Sequence, residues 1–294
     1  MCALGCRTDY WLVTTDHLTD RIWFRNDDDD FKAGMNISAV LASATEVNVL
    51  SFELMSNHVH FVLSCSCDQA ERFIEGFKKR YAQFVHHKYG TKELLRRNGV
   101  DIQHINGMDE SLERAIAYVQ MNCVAANICL SPVLYPWGTG DCFFSGKPVR
   151  GTRLGSLSRR AQTRLIHSTY ELPEDYLIGE GGYILPSSYV QVGLVENIFR
   201  TPRRMNYFLQ NSSKAKRRLA SNEQKLPAFR DQIIVSAIPD LCQSLFRKSL
   251  GMLDSDEQAE LLKQLRFRFS ANVNQLARVT DLPYEIVTDL LDSI

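Results

Sequence analysis

The sequence has no excess of either charge, because 34 Lys and Arg stand against 34 Asp and Glu. Total charge therefore says nothing about nucleic acid, and only the distribution of charge can. Also missing is any C-x-x-C pair among the eight cysteines, which are Cys2, Cys6, Cys65, Cys67, Cys123, Cys129, Cys142 and Cys242. That spacing argues against a zinc ribbon and for reduced, mostly buried thiols. No window reaches the roughly 18 apolar residues of a membrane span, and the first residues hold no apolar stretch suited to a signal peptide. The expected compartment is the cytoplasm, with no membrane partner. A chain of 294 residues suggests about two domains and is long enough to bury a core.

The charges that are present are clustered. Residues 142–170 carry Lys147, Arg150, Arg153, Arg159, Arg160 and Arg164 with no acid, and residues 197–222 carry Arg200, Arg203, Arg204, Lys214, Lys216, Arg217 and Arg218, again with no acid. Such blocks suit a surface that tracks a phosphate backbone. They equally suit solvated linkers. The acids gather at Asp27-Asp28-Asp29-Asp30, read as part of a polar loop, and towards the C-terminus.

In chain order, 9–15 reads as a first strand, rich in aromatic and β-branched residues. Phe31, Met35, Ile37, Val40 and Leu41 are spaced for a helix ending near Ala44. Residues 47–54 form a second strand that pairs as a hairpin with the next. From Asp68 to Tyr89, Phe73, Phe77, Tyr81, Phe84 and Val85 recur at helical steps, leaving Lys78, Lys79, Arg80, His86, His87 and Lys88 on other faces. Residues 100–105 alternate as a fourth strand. Ser111 suits the cap of a following helix, where Asp109, Glu110 and Glu113 favour the positive end. On that helix Leu112, Ile116, Val119 and Cys123 share one arc at about 100° per residue, whereas Tyr118 lies off it and Asn122 follows one turn later.

Beyond this, 145–160 reads as a Gly, Ser and Arg linker, Ser187 or Ser188 as the cap of a helix through Phe199, and Thr201-Pro202 as the start of another. Residues 273–291 have the pattern of a helix-turn-helix, with Val273, Leu276, Ala277, Leu282, Ile286, Val287 and Leu290 inside. Glu285 and Asp289 on its second helix would repel phosphates. The reading is an α+β domain over 1–146, with a ferredoxin-like antiparallel sheet and helices on one face. A basic linker with a small helical extension follows over 147–225, then a helical C-terminal domain over 226–294.

The hairpin holds the most informative stretch, Met55-Ser56-Asn57-His58-Val59-His60-Phe61-Val62-Leu63. Side chains alternate along a strand, so His58 and His60 share one face and Val59 and Phe61 take the other. Two imidazoles in that arrangement make half of a metal site, or an exposed polar face. Histidine-triad hydrolases need a third His, and that position is Val62. Two-His phosphoesterases need a paired His-x-Ser/Thr motif, which is absent.

This stretch resembles the MPNHVHLLL signature of the single-tyrosine HUH transposases. A second motif of that family, Tyr-Ile-His-x-Asn-Pro-Val-x-Ala-Gly, is similar to Tyr118-Val119-Gln120-Met121-Asn122-Cys123-Val124-Ala125-Ala126, with departures at Gln120, Cys123 and Asn127. Tyr135-Pro136-Trp137 with Phe143-Phe144 is similar to the family's closing segment, so the resemblance spans about 9–146. It implies Tyr118 as the nucleophile and His58, His60 and Asn122 as ligands of Mg²⁺ or Mn²⁺. The implied substrate is single-stranded or hairpin DNA, nicked and rejoined through a 5′ phosphotyrosine. A homodimer is compatible with it, and the ligands are expected to face a solvent-accessible site. The alternative is a domesticated protein that binds hairpin DNA and no longer transposes.

Overall fold

A computed structural model describes residues 9–16, 22–25, 27–90, 99–107, 109–146, 148–212, 229–269 and 271–292. Its first part runs β1 (Asp9–Thr15), α1 (Asp27–Ala44), β2 (Asn48–Met55), β3 (His58–Cys65), α2 (Cys67–Tyr89) and β4 (Val100–Ile105). That is the β-α-β-β-α-β order of ferredoxin-like domains. The four strands pair antiparallel in the order β2-β3-β1-β4. The α+β class is as read from the sequence.

One detail differs from that reading, because helices cover both faces of the sheet. Phe61 on β3 packs against Phe73 and Phe77 of α2, whereas His60 meets α3 (Ser111–Gln120) through Tyr118 on the other face. Every residue of β3 is accordingly buried. The α1–α2 side is a continuous aromatic core in which Trp23, Phe24, Phe31, Phe77, Tyr81 and Trp137 stack on one another.

The Asp27–Asp30 run opens α1 instead of belonging to a loop. Acids in a first turn offset the helix dipole, and Asp30 accepts the Arg25 N–H at 2.7 Å and pairs with Lys88 at 2.9 Å. α2 is capped by Ser66 in a reciprocal arrangement with Gln69 and ends at Gly90, whose φ of 67° only glycine adopts without cost. The loop at Thr91–Arg97 lies outside the described residues.

After α3 comes a short α4 (Asn122–Ala125). The chain then returns along the outer edge of β2, where the Leu54 N–H donates to the Trp137 carbonyl at 2.8 Å and the Tyr135 hydroxyl to the Leu54 carbonyl at 2.7 Å.

Residues 148–212 contain β5 (Thr152–Arg153), α5 (Arg159–Ile166), β6 (Leu177–Ile178), α6 (Val192–Phe199) and α7 (Pro202–Asn211). Leu154, Ile166, Ile184, Val195, Phe199 and Phe208 from this stretch are buried in the same apolar cluster as the sheet. The linker reading of 145–160 thus fails over 152–160, where Leu154 supplies an apolar anchor. α6 begins at Val192, beyond Ser187 and Ser188, which fall in a 3-10 turn. Thr201 does cap α7, accepting from the Arg204 N–H, with Pro202 in the first turn.

A second apolar cluster joins α8 (Asp231–Phe246), α9 (Ser255–Phe269), α10 (Val273–Thr280) and α11 (Tyr284–Asp292). Within the α10–α11 pair, Leu276, Ala277 and Val287 are buried as expected, but Ile286 is exposed. Asp281 ends α10 with φ 60°, the left-handed geometry that a glycine more often supplies at such a turn. No helix among the described residues is long and apolar enough to cross a membrane.

Candidate active site

β3 presents His58 and His60 on the face opposite the aromatic core, with ring centroids 4.7 Å apart and planes at 90°. His58 Nδ1 lies 2.9 Å from Asn57 Oδ1, an acceptor only, so the ring donates through Nδ1–H. His60 Nδ1 lies 2.9 Å from the Thr14 hydroxyl on the neighbouring strand. Both Nδ1 atoms are thus engaged in fixing ring orientation, and Nε2 is the atom each ring would turn to a metal.

Tyr118 comes from α3, with its ring centroid 5.8 Å from that of His60 and near perpendicular to it. Asn122 is one turn further on and buried. Its Nδ2 donates to the α3 carbonyls of Tyr118 at 3.1 Å and Val119 at 3.0 Å, which leaves Oδ1 as the atom that could meet a metal.

The structure therefore brings His58, His60 and Tyr118 into one cluster, with Asn122, the first residue of α4, tied to the Tyr118 carbonyl. It departs from expectation in burial: His58, His60 and Asn122 are 5%, 0% and 3% exposed. These side chains are covered because helices close both faces of the sheet. Among the described residues no group of three or more His, Cys, Asp and Glu side chains could hold a metal ion. A metal here would need an amide oxygen such as that of Asn122 beside the two imidazoles. Two imidazoles and one amide oxygen fit a divalent transition ion such as Mn²⁺ better than Mg²⁺.

Three residues of this site escaped the sequence. Thr14 and Asn57 orient the imidazoles, and only the β1–β3 register reveals Thr14, opposite His60. Glu53 is the third. It stands directly opposite His60 on β2 and is 2% exposed, with Oε1 accepting the Cys123 N–H at 2.9 Å. Cys123 occupies the position where the resemblance has proline, which has no N–H to give. The Cys123 thiol is held well above its ordinary range by hydrogen bonding with Cys129, by burial and by Glu53, so it stays protonated. Gln120 is buried, its side-chain amide has no hydrogen bond among the described residues, and nothing in the structure explains the substitution.

The α3 cap also differs, since the Ser111 N–H is received by Asp109 Oδ1 at 2.8 Å and the Ser111 hydroxyl makes no cap.

Beside Tyr118 a cleft of about 630 Å³ opens between α3, α7 and the β1–β4 part of the sheet. On the far side of the sheet a larger cleft, about 1170 Å³, lies between α1, α2 and α5 and takes in Lys32, Arg80, His87, Lys88 and Arg164. There burial, with the neighbouring His87 and Lys88, lowers the His167 pKa. Lys78, expected outside, is buried and paired with Glu75. Arg204, from the second basic block, is bound to Glu113 at 2.9 Å. Lys147, Lys214, Lys216, Arg217 and Arg218 lie outside the described residues.

A family model described as transposase IS200 like matches residues 20–100, a segment that includes both histidines and ends before Tyr118. No curated protein matches the chain.

Proposed function

We propose, from the similarity of residues 20–100 to the IS200-like transposases, that the chain nicks and rejoins single-stranded DNA through a phosphotyrosine at Tyr118. The observation that carries this reading is the Tyr118 ring set 5.8 Å from His60 on a helix otherwise committed to the core. Joining a phosphodiester again without an outside energy source needs a covalent intermediate that conserves the bond. The Tyr118 oxygen would attack phosphorus, forming an O–P bond as the P–O3′ bond breaks. This leaves a 5′ phosphotyrosine and a free 3′ hydroxyl. Attack by a 3′ hydroxyl of another strand end would reverse the step and release the phenol.

His58 and His60 through Nε2, and Asn122 through Oδ1, would hold Mn²⁺ or Mg²⁺. Once bound, the ion supplies charge neutralisation at the scissile phosphate and fixes it for in-line attack. Asn57 keeps His58 in the Nδ1–H tautomer that leaves Nε2 for the ion, and Thr14 holds the orientation of the His60 ring. Hairpin or palindromic repeat ends are the proposed substrates, with Arg80 and Arg164 of the larger cleft available to phosphates.

The test mixes purified protein, a single-stranded hairpin oligonucleotide and Mn²⁺, and looks for a protein–DNA species that survives denaturing electrophoresis. Tyr118→Phe should abolish it. Tyr81 is not a rival nucleophile, since its hydroxyl is buried and donates to the Trp23 carbonyl at 2.7 Å. An adduct that persists in Tyr118→Phe and vanishes in Tyr207→Phe would move the chemistry to α7. Hairpin binding with no adduct under any metal would favour the domesticated binding protein.

A further inference from the structure

The cleft beside Tyr118 is walled on one side by α7, which lies outside the matched segment and belongs to this chain's own extension. Its lining divides sharply in character. At one end are Tyr118 and Thr14, the residue that holds His60. Asp101 and Gln103 of β4, Arg114 of α3, and Tyr207 and Asn211 of α7 also line it.

α7 carries two consecutive aromatics with opposite fates. Phe208 is buried, with the Arg204 guanidinium 5.1 Å and the Arg114 guanidinium 5.8 Å from its ring centroid. Tyr207 is 60% exposed, and its one ring contact among the described residues is with Phe208, near perpendicular at 5.5 Å. The helix that presents Tyr207 is fixed by the buried Phe208 and by the Arg204–Glu113 ion pair to α3. An aromatic left this exposed on a fixed support beside a nucleophile is placed as a stacking surface.

We propose that this cleft takes one unpaired base of the substrate strand, next to the phosphate that Tyr118 attacks, stacked on Tyr207 and read by Asp101 and Gln103. The proposal rests on the single-strand reading above and adds the place and chemistry of recognition. A volume of about 630 Å³ lies within the range of ligand pockets, roughly 300–1,000 Å³. The Asp101 carboxylate in the lining disfavours a phosphodiester, and Arg114, which also lines the cleft, is paired with Glu110 at 2.8 Å, so a base is favoured over the backbone. Asp101, whose carboxylate only accepts, and Gln103, whose Nε2 donates to Asp101 Oδ2 at 2.5 Å, both line this cleft. The Asp101 carboxylate, an acceptor, favours a base with an exocyclic amino group, such as cytosine or adenine, over thymine, which offers carbonyls.

The test uses the full chain in chelator, so that neither metal nor cleavage enters the readout. Short fluorescent oligodeoxynucleotides made only of cytosine, only of adenine or only of thymine are titrated by anisotropy at one salt concentration. The cytosine and adenine strands should bind more tightly than the thymine strand. Tyr207→Ala should weaken both by about fivefold or more, the low end of what one aromatic–base stack contributes. Tyr207→Trp should keep the affinity and add a quenching of tryptophan emission on binding, and Asp101→Asn should narrow the gap between cytosine and thymine.

Because Tyr207 is exposed, its removal leaves the fold intact. Parental affinity of Tyr207→Ala for all three strands, no quenching in Tyr207→Trp, or no binding of any strand by the parent would overturn the proposal. Loss of the adduct assignment to Tyr118, with these binding differences intact, would instead overturn the nucleophile alone.

Discussion

The Cys123 N–H reaches Glu53 Oε1 at 2.9 Å inside a region where both residues are buried. Cys123→Pro restores the residue of the resembling motif at a position in the first turn of α4, where proline is sterically tolerated. It also removes the donor from a buried carboxylate, which costs about 1–3 kcal/mol. The expected outcome is a lower thermal midpoint for Cys123→Pro and a large part of the loss recovered in Glu53→Val with Cys123→Pro, measured as a double-mutant cycle. Equal losses in the single and double variants would show that Glu53 is satisfied elsewhere.

His60 carries a related lesson. A motif shows which two side chains share a face, and that was legible from alternation alone. Whether that face is wet depends on α3, which lies far along the chain, and here it is covered. His60→Ala should therefore cost stability as well as cleavage, on the order of 1–3 kcal/mol for the lost Thr14 bond and the space left behind. Thermal unfolding in chelator would measure it.

At the scale of elements, β1 and β4 coincide with the runs read from the sequence, because alternating apolar and β-branched residues report on sheet burial directly. Caps were less legible. Ser111, Ser187 and Ser188 are cap-type residues that do not cap, since cap formation depends on where the preceding chain arrives and not on residue type alone.

The segment after α4 shows the same dependence more favourably. Asn127 adopts φ 59°, a left-handed conformation, at the position where the resembling motif has glycine. Asparagine is the common non-glycine residue in that region, so the departure preserves the backbone path. Asn127→Gly should leave the thermal midpoint nearly unchanged, and Asn127→Ala should lower stability by about 1–2 kcal/mol. A stable Asn127→Ala would mean that the turn relaxes to negative φ.

Over the whole molecule, the sheet and the C-terminal helices meet at Asp231, a contact no sequence pattern announces because its partners come from two distant stretches. Its carboxylate is 2% exposed and accepts from the Ser56 hydroxyl at 2.7 Å, Gln275 Nε2 at 2.9 Å and Arg278 Nε at 3.0 Å. Ser56 stands where the resembling motif has proline, and only a hydroxyl can make this bond. Its carbonyl also receives the Trp23 N–H at 2.7 Å. The turn leading to Asn57 and His58 is thus tied both to the aromatic core and to α8 and α10. Removing one partner of a buried ion pair leaves an uncompensated charge, at a cost of about 3–5 kcal/mol, whereas replacing both partners by apolar residues costs much less. Arg278→Ala should therefore separate unfolding of the C-terminal helices from that of the sheet, giving two transitions or early proteolysis of 229–292, and Asp231→Leu with Arg278→Met should restore much of the cooperativity. Ser56→Ala, which removes a single hydroxyl donor, should cost about 1 kcal/mol. If Arg278→Ala melts as the parent does in one transition, water reaches Asp231 and the clamp does not couple the two apolar clusters.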